Sequence, residues 1–293
     1  MAIVIHRTLW TRQPQINARL RRNVGSAIVT FGANYLHTHV QNTAIGQTPE
    51  SVGTINTATT DGMRGVLASA TTSDAIKYAN TGVIPASRAD FTIIAAGTIN
   101  TNETRIESVL FYGDESSGNF PQHHLAANSS SAGASEGGRI SAYTYDGGFL
   151  TQIASNSITA IDGKYHVYGW RNGSNNDLSL WRDGINISGT KSGGTGTLAV
   201  AYPTYILQTN VGASARGLLS PVHGVWVLLG AVSDVLMARL TANPWQEFYE
   251  TLPRRIWVPS AAAADSNVFS ILRPGIIRPA RNQNNRIISG AMQ

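Results

Sequence analysis

The segment YHVYGWRNGSNNDLSLWRDGINISG, Tyr165 to Gly189, decides the fold. Apolar and polar residues alternate through it twice, with two polar turns between. Tyr165 to Trp170 reads as one strand, and NGSNN as a turn, because Asn and Gly tolerate positive φ. Asp177 to Arg182 is the next strand. Asp183-Gly184 then signals a two-residue hairpin of type I′, whose central residues both need positive φ. That turn sets Arg182 opposite Ile185, Trp181 opposite Asn186 and Leu180 opposite Ile187. Leu178, Leu180 and Ile187 fall on one face, and Ser179, Trp181, Asn186 and Ser188 on the other. A plain β-meander follows, with no catalytic group in it.

Composition agrees. Of 293 residues 42% are hydrophobic and only 13% charged, with 29 glycines and no cysteine. That describes an ordered, turn-rich β protein without disulfides or thiolate metal sites. The start, MAIVIHRTLW, has too short an apolar run for a signal peptide. VWVLLGAV, Val225 to Val232, is far too short for a bilayer span. The expectation is a soluble chain made in the cytoplasm, with no membrane partner.

The net charge of +5 is unevenly placed. Residues 1–60 and 252–293 together hold eleven arginines against two acids, while the middle holds eleven basic and fifteen acidic residues. Scattered arginines with no lysine and few aromatics argue against nucleic acid, and arginine suits bidentate pairing at protein interfaces.

Working outward, DFTIIAAGTI, RIESVLFY, RISAYTYD, FLTQIAS, TYILQTN and SPVHGVWVLLG read as further strands, and Gly25 to Phe31 as one short strand in an otherwise aperiodic start. Short strands with turns are expected between Val40 and Ala89. The stretch ESSGNFPQHHLAANSSSAGASEGGR reads as a loop, or as two short edge strands with a loop. SDVLMARL is a short helix capped by Ser233. In NPWQEFYE, Asn243 can cap, Pro244 takes the first helical position and Gln246 can close a capping box. The Arg-Pro pairs of the tail disfavour helix. Its apolar residues suit an extended arm packed on a partner, carried by Phe269, Ile276, Ile277, Arg273, Arg278, Arg281 and Arg286. The division expected is an N-terminal arm at 1–40, a β-sandwich at 41–252, and a linker with a C-terminal arm at 253–293.

Tyr165-His166-Val167, then Leu178 to Gly184, then Gly224-Val-Trp-Val227 leading to Ala231-Val-Ser-Asp234, resemble the motif order of the concanavalin A-like, laminin-G-like jelly rolls, over residues 85–245. The resemblance implies an all-β jelly-roll sandwich. WTRQPQ, ANPWQ and RRIWVPSAAA are similar to hypothetical proteins of tailed phages and prophages. That implies a virion structural protein of the tail or its fibres, assembling with itself and other virion proteins through its arms. Head decoration and adhesion to a host surface glycan are the alternatives.

Chemistry is sparse. A retaining glycosidase needs two carboxylates about 5–5.5 Å apart. Glu103 with Glu107 and Asp114 with Glu115 do not meet that geometry from strand spacing, so no enzyme is expected. His37 with His39, and His123 with His124, lack a third metal ligand. No cofactor is expected, and calcium through Asp114, Asp146 or Asp177 is left open. The glycine run SGGTGT lacks the ending of a phosphate loop. Exposed aromatics among Asn, Asp and Gln would suit a glycan, and the candidates are Trp181, Trp170, Tyr143 and Tyr145, in competition with core or interface roles.

Overall fold

A computed structural model of the chain describes residues 50–60, 63–69, 74–78, 90–101, 104–113, 122–129, 135–145, 150–174, 177–192, 201–209 and 216–248, together with the backbone of 25–30, 38–40, 269–273 and 276–279. The chain divides into two units, residues 1–250 and 251–293.

The first unit is a jelly-roll β-sandwich of two antiparallel sheets. Among the described residues one sheet has nine strands. Its order runs β14 (Ile185–Asn186), β13 (Leu178–Arg182), β12 (Tyr165–Asn172), β7 (Phe91–Thr98), β17 (Val222–Leu229), β1 (Gly25–Thr30) and β2 (Thr38–Val40). β5 (Met63–Ala68) joins β17 at Val66 and pairs with β4 (Ile55–Thr60). The other has eight, ordered β15 (Ser188–Ser192), β11 (Leu150–Ser155), β10 (Ser135–Tyr145), β9 (Gln122–Ser129), β8 (Glu107–Gly113), β16 (Thr204–Ile206), β6 (Ala75–Tyr78) and β3 (Glu50–Val52).

The opening segment folds as its turn chemistry dictates. Asp183 and Gly184 hold φ of 49° and 82°, Trp181 pairs with Asn186 and Arg182 with Ile185, and the Ile187 amide donates to the Leu180 carbonyl. Leu178 and Leu180 enter the inter-sheet core with Ile187 packed against it, while Trp181 faces the opposite way.

β7 and β17 are buried along their whole length because both faces of the nine-stranded sheet are covered. Ile93, Ala95, Val225 and Val227 point between the sheets. Ile94, Ala96, Trp226 and Leu228 point outward, beneath helices α1 (Asp234–Ala242) and α2 (Pro244–Phe248). Covering both faces turns these strands into nearly continuous apolar runs. Ser233 caps α1, its hydroxyl accepting from the Leu236 amide. Asn243 caps α2 by accepting from the Gln246 amide. The Gln246 side chain, however, accepts from the Asn243 side-chain amide, since the Asn243 backbone N–H is already spent on the Arg239 carbonyl closing α1.

One expectation changes. HHLAANS is neither loop nor edge: β9 sits between β8 and β10 in the middle of its sheet, with residues 123–129 buried. Its polar side chains are satisfied across the strands, so polarity does not expel them. Within residues 1–40, the short strand expected at Gly25 to Phe31 is β1, which pairs along its whole length with β17 and so extends the nine-stranded sheet. In the second unit, β18 (Phe269–Arg273) and β19 (Ile276–Pro279) form an antiparallel pair, with Phe269 opposite Pro279 and Ile271 opposite Ile277. Arg273, Ile276, Ile277 and Arg278 lie on this pair, and Arg281 and Arg286 lie outside the described residues.

Candidate functional site: the outer face of the eight-stranded sheet

Directly opposed residues of neighbouring strands share a face. Following the register across the eight-stranded sheet gives one transverse row: Glu50, Lys77, Tyr205, Phe111, His124, Tyr143, Gln152 and Ser192. Their sequence neighbours Ile76, Ile206, Leu110, Tyr112, Leu125, Ala142 and Ile153 fill the inter-sheet core, so the row points outward. Four successive members are aromatic. Phe111 sits 6.2 Å from Tyr205 and 5.5 Å, edge-on, from His124, and His124 lies 4.9 Å from Tyr143. At a strand spacing of ~4.8 Å these four rings cover about 14 Å.

Polar groups organise the row. His124 is hydrogen-bonded through Nδ1 to the Tyr143 hydroxyl and through Nε2 to Ser108 Oγ at 3.0 Å. Arg216 reaches over the same face and its Nη1 donates to the Tyr143 hydroxyl at 3.4 Å. Burial, with the Arg216 charge added to it, holds the His124 imidazole well below its usual pKa, so the ring is neutral. Lys77 pairs with Glu50 at the far end, 3.7 Å apart. Phe111 and His124 are wholly buried and Tyr143 nearly so. The half-buried Tyr145, Gln152, Arg216 and Lys77 form the accessible rim, and Ser192 is exposed. Tyr145 stands two residues beyond Tyr143 on the same face.

The four aromatic candidates from the sequence are therefore divided between two sheets. Trp170 points into the core, wholly buried and edge-on to Phe91 at 4.9 Å. Trp181 is buried on the outer face of the nine-stranded sheet, in the cluster formed with Met237 and Leu240 of α1, and its Nε1 donates to Ser179 Oγ. Neither ring is presented to solvent. Only Tyr143 and Tyr145 stay together. Sequence reading missed His124, Phe111, Tyr205, Gln152 and Arg216. The signal lay in their equal alternation phase once strands are aligned, which needs the register.

Acids stand apart from the row, Glu50 excepted. Glu107 is buried, bonded to Arg105 at 2.5 Å and to Asn128 at 2.9 Å, and its burial raises its pKa despite both partners. Asp177 is ion-paired with Arg171 at 2.7 Å. Asp162 and Asp183 flank His166 at 2.8 and 2.5 Å, and Asp183 also accepts from the Val167 amide, a clasp behind the hairpin turn. Among the described residues no group of three or more His, Asp or Glu could hold a metal. Glu103, Asp114, Glu115, Asp146 and His37 lie outside the described residues, and of His39 only the backbone is described.

No family model matches the chain, and no curated protein matches its sequence. Solved structures do share the fold. It is similar to domain 4 of AbnA, a GH43 extracellular arabinanase from Geobacillus stearothermophilus, in complex with arabinotriose, at a TM-score of 0.54 and 12% identity over 74% of this chain and 98% of that domain. It is also similar to the binding domain of Paraclostridial Mosquitocidal Protein 1, at 0.54 and 9% over 76% of this chain and 52% of that one. The botulinum neurotoxin serotype G binding domain gives 0.53 and 9% over 75% and 50%. This chain spans about half the length of those two toxin domains. Identities this low establish the β-sandwich fold and nothing finer.

Proposed function

We propose that this chain is a non-catalytic carbohydrate-binding β-sandwich, whose ligand meets the outer face of the eight-stranded sheet at Tyr143, Tyr145, Gln152 and Arg216. The observation that carries the reading is the transverse row. One outer face is sealed by α1 and α2, whereas the other presents the half-buried Tyr145 with an amide, a guanidinium and an ammonium at its rim, set over the buried rings of Tyr205, Phe111, His124 and Tyr143. Sugar rings present C–H faces that stack on aromatics and hydroxyls that need such polar partners. The rim matches a short oligosaccharide, with Tyr145 as the stacking surface and Gln152, Arg216 and Lys77 as the polar partners. The arabinanase domain, solved with arabinotriose, supports the choice of ligand class.

Binding rather than cleavage is supported by where the acids lie. Glu50, at the edge of the row, is ion-paired with Lys77, and Glu107 is engaged by Arg105 and Asn128. Neither forms the carboxylate pair that glycoside hydrolysis uses. The virion setting rests on the short motifs at the two ends of the chain and gains nothing from these similarities, which favour the glycan-binding alternative. A glycan array probed with the full chain tests the proposal. Saturable binding to some oligosaccharides, abolished by Tyr145→Ala with the melting temperature unchanged, is expected. Silence across the array would count against it, as would binding that ignores Tyr145.

A further inference from the structure

We propose that the consecutive histidines His123 and His124 form an acid-sensitive catch at the centre of the eight-stranded sheet, which releases when the rings are forced to accept protons. Adjacent strand residues point to opposite faces, so this pair reaches both sides of β9 at one point. β9 is held by β8 on one side and β10 on the other.

His123 lies between the sheets. Its Nδ1 is 2.8 Å from Thr144 Oγ1 of β10, and its ring stacks on Tyr112 of β8 at 5.7 Å. Phe91 of β7 at 4.7 Å and Trp170 of β12 at 6.3 Å close it from the facing sheet. The ionisable group facing it among these contacts is the Tyr112 phenol, which burial keeps neutral. His124 faces Ser108 and Phe111 of β8, Tyr143 of β10 and the Arg216 guanidinium. A proton there would stand beside an existing positive charge. The β8 carboxylate, Glu107, is turned to Arg105 and Asn128. Neither imidazolium would find an anion among these neighbours, and a buried unpaired charge is costly.

The direction of the effect follows from linkage. Burial lowers His123 to about 3 and His124 well below the ordinary value, while in the unfolded chain both titrate near ~6.5. Below about pH 6.5 the unfolded chain thus binds more protons, and stability falls with pH down towards 3. Each ring contributes up to about tenfold in the folding equilibrium per pH unit, and the two together about a hundredfold. The raised Glu107 works in the opposite sense just above its ordinary pKa of 4.5. The histidine effect is therefore read as a difference between variants at higher pH.

This inference concerns stability alone and stands whether or not the outer face binds a glycan. The test is urea denaturation of the full chain from pH 7.5 to 5.0, beside His123→Gln and His124→Gln. Each variant should show a pH slope shallower by about tenfold per unit between pH 6 and 5. Equal slopes would overturn the proposal. Should a variant fail to fold, NMR of the assigned His123 and His124 rings in the unsubstituted protein decides: both remaining neutral at pH 5 supports the catch, and either titrating near ~6.5 refutes it.

Discussion

At Gly184 the backbone turns with φ at 82°, and a Cβ added there would lie 3.2 Å from the Ala238 carbonyl oxygen and 3.3 Å from the Ala242 methyl of α1. Gly184→Ala therefore meets both a left-handed backbone and a crowded helix, and should cost on the order of 1–2 kcal/mol. Urea denaturation at neutral pH measures it, and a loss below a few tenths would contradict the turn assignment. Trp170→Ala, which empties a wholly buried ring site against Phe91, should cost about 3–5 kcal/mol. Tyr145→Ala, on the rim, should leave stability within roughly 0.5 kcal/mol. These contrasts mark what one sequence discloses about a residue. Trp170 and Trp181 alternate phase with their neighbours, so their faces could be assigned from the hairpin. Which face was covered could not, because α1 reaches Trp181 from more than fifty residues downstream.

Helix α1 docks on the nine-stranded sheet at Gly169, where a Cβ would fall 2.6 Å from Thr241 Cγ2 and 2.7 Å from Met237 Cε. The absent side chain lets Met237 and Leu240 approach Ile94 and Val167. Gly169→Val should force α1 outward at a cost of about 1–3 kcal/mol. Its effect should be less than additive with Met237→Ala, because the second change vacates the space the first needs. Full additivity in a denaturation double-mutant cycle would mean that Gly169 does not set the helix position. The meander, β7, β8, β10, β11, β17 and both helix caps were legible because turn chemistry, periodicity and capping act over a few residues. β9 was not, since its eligibility for the sheet centre depends on Thr144, Tyr143 and Ser108, which lie 16 to 21 residues from the histidines they satisfy. The pairing of β1 with β17 is longer-range still and has no local signature.

Across the whole molecule the two sheets bury a common core and differ in what covers their outer sides. The nine-stranded sheet gives its outer face to α1 and α2. The eight-stranded sheet gives its own to the row from Glu50 to Ser192, assembled from eight strands that span residues 50 to 192 in sequence but form one line in space. That assembly explains why the fold class could be read from the sequence while the site could be read only at Tyr143 and Tyr145. Acid links the two levels, since the same His124 that centres the row must stay neutral for β9 to remain in place. Hydrogen exchange with and without an oligosaccharide taken from the array tests the central claim most directly. The account predicts ligand-dependent protection concentrated in β10 and β11, around Tyr143, Tyr145 and Gln152, with β12, β13 and α1 unchanged. Protection confined to β12, β13 and α1 would contradict it.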